Sequence, residues 1–299
     1  MNIEMMDTKA QYESLFALPS DKRDPFFRYT MMKPLETMWA TIQVPLIAKQ
    51  PNGYDVMMAT KMMGYLDVQE TEIGTAAIQQ LMEMDAWNIA HQSLTKCIEY
   101  TTEAGLCVKA DQVKLGMYIA DPVNLKHVHG YCGFGGIPGY VMLMIHPNEY
   151  NAPRIPALIA HEFHHNIRFS YFNWNHGDVT LGDYLIIEGL ADAFATELYG
   201  ESMLGPWVTS IDEEELAYSI HVMKEGFGLK GFAEVSAYMF GDEAAKEQGF
   251  SPVGVSAGAG YAVGYHIVQS FMKKNNMTVL EATLLSADEI VQGSGVYLR

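Results

Sequence analysis

The segment His161-Glu162-Phe163-His164-His165 constrains this chain more than any other. Two histidines four positions apart meet at one point when the backbone between them is helical, because side chains at i and i+4 leave the same face one turn apart. On such a helix His161 and His165 can share one metal ion, and Glu162 sits beside it. His164 points the other way. Neutral imidazole suits zinc, and a zinc site with one open position makes its water acidic enough to attack near neutral pH. A carboxylate beside that water can take its proton and pass it to a leaving amine.

A third ligand must come from elsewhere. The longer three-histidine pattern would need Gly at 168 and His at 171, where the chain has Arg168 and Tyr171. Downstream, Thr180-Leu-Gly-Asp183 can cap a strongly apolar helical run that carries Glu188 and, one turn later, Asp192. A carboxylate among Leu181, Tyr184 and Leu185 is costly to bury without a partner, and a metal removes that cost. Asp192 faces the same way and could accept the second imidazole proton of a zinc-bound histidine, fixing its tautomer. His176, in the loop between the two helices, is a rival for the third position. The remaining histidines, His91, His127, His129, His146 and His221, are read as surface or hydrogen-bonded residues.

The order of these elements resembles the glutamate-zincin peptidases, in which the downstream glutamate is the third zinc ligand. More closely, the chain is similar to the YjaZ-like predicted zinc-dependent proteases. It shares with them His161-Glu-Phe-His-His165 followed by Arg168, Glu188-Gly-Leu-Ala191, and a late Gly260-Tyr-Ala-Val-Gly-Tyr265-His266 helix. The similarity runs from about residue 115 to the end and is weaker in the first third. It implies a zincin-like fold and peptidase chemistry with one zinc per chain held by His161, His165 and Glu188. Glu162 would be the base and Asp192 the partner of a ligand imidazole. Family analogy and helix position make Tyr265 the expected donor to the oxyanion, with Tyr261 and then His266 behind it. In zincins an edge strand placed before the motif helix pairs with the extended substrate, a role that Tyr140 to Ile145 could take; it could equally be an ordinary sheet strand.

Composition bounds the rest. A chain of 299 residues with 49% hydrophobic residues can bury a large core, as one large domain or two small ones. A formal net charge of −17 disfavours nucleic acid and anionic membranes as partners. No secretory leader and no membrane-length apolar run is present, so a cytoplasmic protein acting on a peptide or protein is expected. Its oligomeric state is not legible. Cys97, Cys107 and Cys132 lack any C-x-x-C spacing and read as reduced core thiols.

Residues 1–110 read as a helical region, with the best helices at 25–40 and 75–102 and with Met31, Met32, Met38, Met57, Met58, Met62 and Met63 read as core. Residues 111–299 read as the metallopeptidase domain. Its strands are expected at 116–120 and 140–145, separated by a glycine-rich loop at 130–139 that lacks the Lys and Ser/Thr of a phosphate cradle. Ser210 to Glu213 reads as a capping box, and 257–273 as a final helix in which Gly260 and Gly264 allow close backbone approach. The expected fold is α+β, mainly helical with a small sheet. No cofactor-binding residues beyond the zinc ligands are expected. A second di-iron E-x-x-H is missing, which removes a four-helix di-iron protein. A zinc-containing binding protein that uses the same groove to hold a partner remains the alternative, although a purely structural zinc is usually closed by four protein ligands.

Overall fold

A strand whose residues are buried on both faces belongs inside a sheet, and the run from Leu115 to Ile119 is buried throughout. The computed structural model describes residues 1–51, 53–175 and 177–297. In it β1 (Asn2–Met5), β2 (Gln112–Ile119), β3 (Tyr131–Phe134) and β4 (Tyr140–Ile145) form one mixed sheet in the order β1-β2-β4-β3. β2 runs parallel to β1 and to β4, whereas β3 is antiparallel to β4. β1 lies in the region expected to be helical. β3 lies in the glycine-rich segment expected to be a loop. β4 pairs on both sides, so its backbone groups are already taken and it is not an edge free to add a peptide strand.

The chain divides into two compact units that interleave in sequence. One comprises Met1–Thr95 with Ala110–Ile159, and the other Lys96–Lys109 with Ala160–Arg299. The single boundary expected near residue 110 is one of three crossings between them. The architecture is α+β and mostly helical.

The first unit packs α1 (Thr8–Ala17), α2 (Ser20–Phe26), α3 (Glu36–Thr41), α4 (Val56–Met62), α5 (Thr71–Glu83) and the start of α6 (Ala86–Glu103) with the sheet. The helix expected across 75–102 is two helices, broken where Asp85 adopts a φ of 56°. Trp39, Tyr12, Tyr65, Tyr118 and Phe27 fill the core together with Met31, Met32 and Met38. Met58 and Met62 are exposed, so the methionines of this region are not all core.

In the second unit, the part of α7 (Ile155–Tyr171) from Ala160 onward packs with α8 (Leu181–Tyr199), α9 (Pro206–Thr209), α10 (Glu213–Lys224), α11 (Phe232–Phe240), α12 (Asp242–Glu247), α13 (Ala259–Asn275), α14 (Val279–Ala282) and α15 (Ala287–Ser294). α8 is largely apolar and accordingly buried from Leu181 to Ala195, apart from the capping Asp183. Thr180 and Asp183 form the capping box that starts it, Thr180 Oγ1 accepting from Asp183 N at 3.0 Å and Thr180 N donating to Asp183 Oδ2 at 3.1 Å. α10 is capped by Asp212, which accepts from Glu215 N, and not by Ser210.

α8 and α13 cross backbone to backbone. A Cβ on Gly264 would lie 2.1 Å from the Leu185 carbonyl oxygen, and one on Gly189 2.2 Å from the Gly264 carbonyl oxygen. Only glycine permits that approach, and it brings Glu188 of α8 beside the first turns of α13. The stretch 96–109 is fastened to the same unit: Lys96 Nζ donates to Leu198 O, Tyr100 OH to Glu197, and the backbone of Cys107 to Tyr171 OH. Cys107 is exposed, unlike the core thiol expected there. No helix among the described residues is long and apolar enough to cross a membrane.

Candidate metal centre

α7 presents His161 and His165 from successive turns, and α8 presents Glu188 opposite them. His161 Nε2 lies 3.2 Å and His165 Nε2 3.5 Å from the same oxygen, Glu188 Oε2. One ligand atom from each of the three lies within 4.8 Å of the others, and all three residues are buried. Such an arrangement could hold a metal ion. Burial raises the Glu188 pKa, but the charge of His165 and hydrogen bonds from both imidazoles overcome this and pull it down to about 2.

Asp192, one turn beyond Glu188, reaches the far side of the first imidazole. His161 Nδ1 donates to Asp192 Oδ1 at 2.9 Å. The indole Nε1 of Trp207 donates to both oxygens of Asp192, at 3.2 and 3.3 Å. His165 has no such support: its buried Nδ1 finds no hydrogen-bond partner among the described residues, and its ring stacks on Phe169 at 5.9 Å. Burial opposes charge on His161, yet Asp192 and Glu188 raise its pKa well above the ordinary imidazole value. Glu162 is buried beside them. Its pKa is raised by burial, opposed by His161 and His165, and raised further by Glu188 and Asp192.

The other side of α7 is tied to the segment after α14. His164 Nε2 meets Thr283 Oγ1 at 2.9 Å, and because that hydroxyl donates to Val279 O, the imidazole is the donor. Arg168 donates to the carbonyls of Thr283 and Leu285 and lies over the Phe172 ring. Burial draws its pKa down to about 10, Asp183 opposing.

The two candidate tyrosines separate. Tyr261, on the first turn of α13, packs between Trp207 and Phe240, with ring centroids at 6.3 and 6.2 Å. Burial raises its pKa well above 10, and the charges of Glu188, Glu162 and Asp192 add to the shift. Tyr265 is half-buried: burial raises its pKa, Glu201 and Asp192 add to the rise, and hydrogen bonds with Thr196 and Gln269 oppose it. Of the two, Tyr261 is the one among the carboxylates of the site. His266 is exposed. His176, the rival ligand, lies outside the described residues.

Residues 86–292 match the family described as Predicted Zn-dependent protease (DUF2268). The uncharacterized protein YjfC of Bacillus subtilis (strain 168) is 56% identical over 297 residues, covering 99% of either chain. The uncharacterized protein YjaZ of the same organism is 26% identical over 149 residues, 49% of this chain and 53% of that protein. The chain belongs to this family. No solved structure matches it.

The zinc in the family's description fits the donors present. With its Nδ1 proton engaged by Asp192, His161 aims Nε2 at Glu188 Oε2 3.2 Å away, where either the Nε2 proton of the charged imidazole or a metal ion bound by the neutral one satisfies the carboxylate. Two imidazoles and one carboxylate are a donor set of catalytic zinc, and the Asp192 contact is the outer hydrogen bond that such imidazoles make. For this member of the predicted zinc-dependent proteases, Trp207 is the residue that sequence reasoning passed over. A single tryptophan on a short helix carries no spacing signal, and only the fold brings it to Asp192.

Proposed function

We propose that this protein is a zinc-dependent peptidase in which His161, His165 and Glu188 hold one zinc ion and Glu162 is the general base. The observation that carries the reading is the convergence of three buried donor atoms within 4.8 Å, with a buried carboxylate next to His161 in sequence. Zinc bound there supplies a water acidified toward neutral pH and a Lewis acid for a peptide carbonyl. Glu162 takes the proton of the attacking water and later delivers it to the leaving amine. Its raised pKa suits that exchange, since a base titrating nearer to neutrality both accepts and returns a proton. Asp192 holds His161 in the tautomer that offers Nε2 inward. Tyr261 keeps its hydroxyl proton and is the donor best placed among the site's carboxylates to meet negative charge developing on the carbonyl oxygen. The substrate is a peptide or protein.

Glu162→Gln separates chemistry from metal binding. The variant is expected to keep its fold and zinc while hydrolysis of a mixed peptide library, followed by mass spectrometry, falls by about 100-fold or more. Activity within about tenfold of the parent would remove Glu162 from the role. Zinc retention with no turnover by the parent protein would favour a binding protein built on the same ligands.

A further inference from the structure

An indole nitrogen is a donor only, so where its proton points shows what it is there to hold. In Trp207 it points at Asp192, bridging both carboxylate oxygens at 3.2 and 3.3 Å, and Oδ1 also takes the His161 Nδ1 proton at 2.9 Å. The indole has a built seat. A Cβ on Gly205 would lie 2.3 Å from its ring atoms, and one on Gly258, where φ is +78°, would lie 2.5 Å from the Trp207 carbonyl oxygen. Two glycines thus let the chain fold the ring back on itself and press α9 against the start of α13. The seated ring meets His161 at 6.0 Å between centroids, inclined at 68°, and Tyr261 at 6.3 Å.

We propose that Trp207 is a positioning residue of the metal centre, acting through Asp192: its N–H fixes the rotation of the carboxylate that in turn fixes the His161 imidazole. The proposal rests on the zinc reading of His161, His165 and Glu188. A tryptophan serving only as apolar filler would make the same ring contacts without needing its nitrogen aimed at a buried carboxylate. With the donor removed, Asp192 retains the His161 proton alone and can turn about its terminal torsion, and the Nε2 lone pair is no longer held on the ligand position. Partners of ligand imidazoles affect metal affinity by roughly 10 to 100-fold, and Trp207, one hydrogen bond further out, is expected at about the lower end of that span.

The test is the zinc dissociation constant of the full chain, measured by competition with a chromophoric chelator, for the parent, Trp207→Phe, Asp192→Asn and the double variant. Trp207→Phe keeps an aromatic ring and loses the donor. It is expected to weaken zinc binding about tenfold in the parent background and to add little once Asp192 is asparagine, because coupled residues fail to add in a double-mutant cycle. Unchanged affinity in a folded Trp207→Phe protein, or the full tenfold loss persisting on the Asp192→Asn background, overturns the proposal. Should Trp207→Phe fail to fold, β-(3-benzothienyl)alanine incorporated at position 207 replaces the N–H by sulfur within nearly the same outline, and the same outcomes apply. A parent protein that binds no zinc removes the zinc reading and this proposal together, whereas zinc binding by the parent with no loss in the variants removes the proposal alone.

Discussion

His161 and His165 leave α7 on one side and His164 on the other, and the three imidazoles are similarly out of water, at 5%, 7% and 0% exposure. Their chemistry differs because of what the neighbouring helices present. α8 offers the first side two carboxylates, and the pKa of His161 rises although burial alone would lower it. The segment after α14 offers the other side a hydroxyl and carbonyls. There burial, with the charges of His165, Arg168 and His161, drives the His164 pKa well down, Glu188 opposing. Burial by itself makes a histidine neutral and structural; a carboxylate facing it makes the same residue a ligand or a cation. The side toward Thr283 fastens the helix, and the side toward Glu188 is the one where the proposed chemistry lies.

The largest effects should come from exchanging the roles of the two sides. His161→Ala or His165→Ala removes a ligand, and zinc retained after dialysis, read by elemental analysis, is expected to fall by more than the roughly 10 to 100-fold of an outer partner. His164→Gln, which alters the fastening side, is expected to keep about one zinc per chain. Zinc lost from folded His164→Gln but kept by His161→Ala would reverse the assignment of the two sides.

Next in size is the crossing that sets α8 against the site. Gly264→Ala forces a methyl group toward the Leu185 carbonyl oxygen at 2.1 Å, and neither backbone can yield as a flexible side chain would. Overpacking costs typically about 1–3 kcal/mol, and a contact between two backbones belongs near the top of that span. Urea unfolding should show the loss. Zinc binding should weaken with it, because Glu188 precedes the glycine that Gly264 meets. An alanine variant as stable as the parent would show that the crossing opens freely and that Glu188 is placed by other contacts.

The site was legible in proportion to how local its geometry is. His161 and His165 are joined by a single helical turn, so spacing alone places them together. Glu188 showed because it is a carboxylate set among the apolar Leu181, Tyr184 and Leu185 on a largely apolar helix, and Asp192 showed by its distance of one turn from it. The order of Tyr261 and Tyr265 was not legible: both lie on the same helix flank, and which one meets the carboxylates depends on the depth at which α13 crosses α8. The sheet was partly legible. β2 and β4 announce themselves as apolar runs, but β1 is four residues long and pairs with residues more than a hundred positions away, and nothing in β4 alone says that it has two neighbours. The break at Asp85 is a left-handed residue inside a helical pattern, which periodicity passes over.

The smallest effect concerns protons on the fastening side. In the folded protein His164 donates through Nε2 and stays neutral, its pKa held well below 6.5 first by burial and then by the neighbouring positive charges. In the unfolded chain the same imidazole takes up a proton near pH 6.5. Below that pH the unfolded state holds the extra proton, so this histidine costs stability as the pH falls, at up to about 1.4 kcal/mol per pH unit; above it the two states hold the same number and the effect vanishes. Glutamine at 164 has no such proton. Urea unfolding of the zinc-free parent and of His164→Gln should therefore run parallel between pH 7 and 8 and converge or cross below about 6.5, as the parent loses stability faster. His161, present in both proteins, carries the opposite sign, with stability lost as pH rises through its elevated pKa, and largely cancels from the difference. A difference that stays flat from pH 8 to 5 would mean that His164 accepts its proton inside the fold, and the contrast between the two sides of α7 would then not be one of charge.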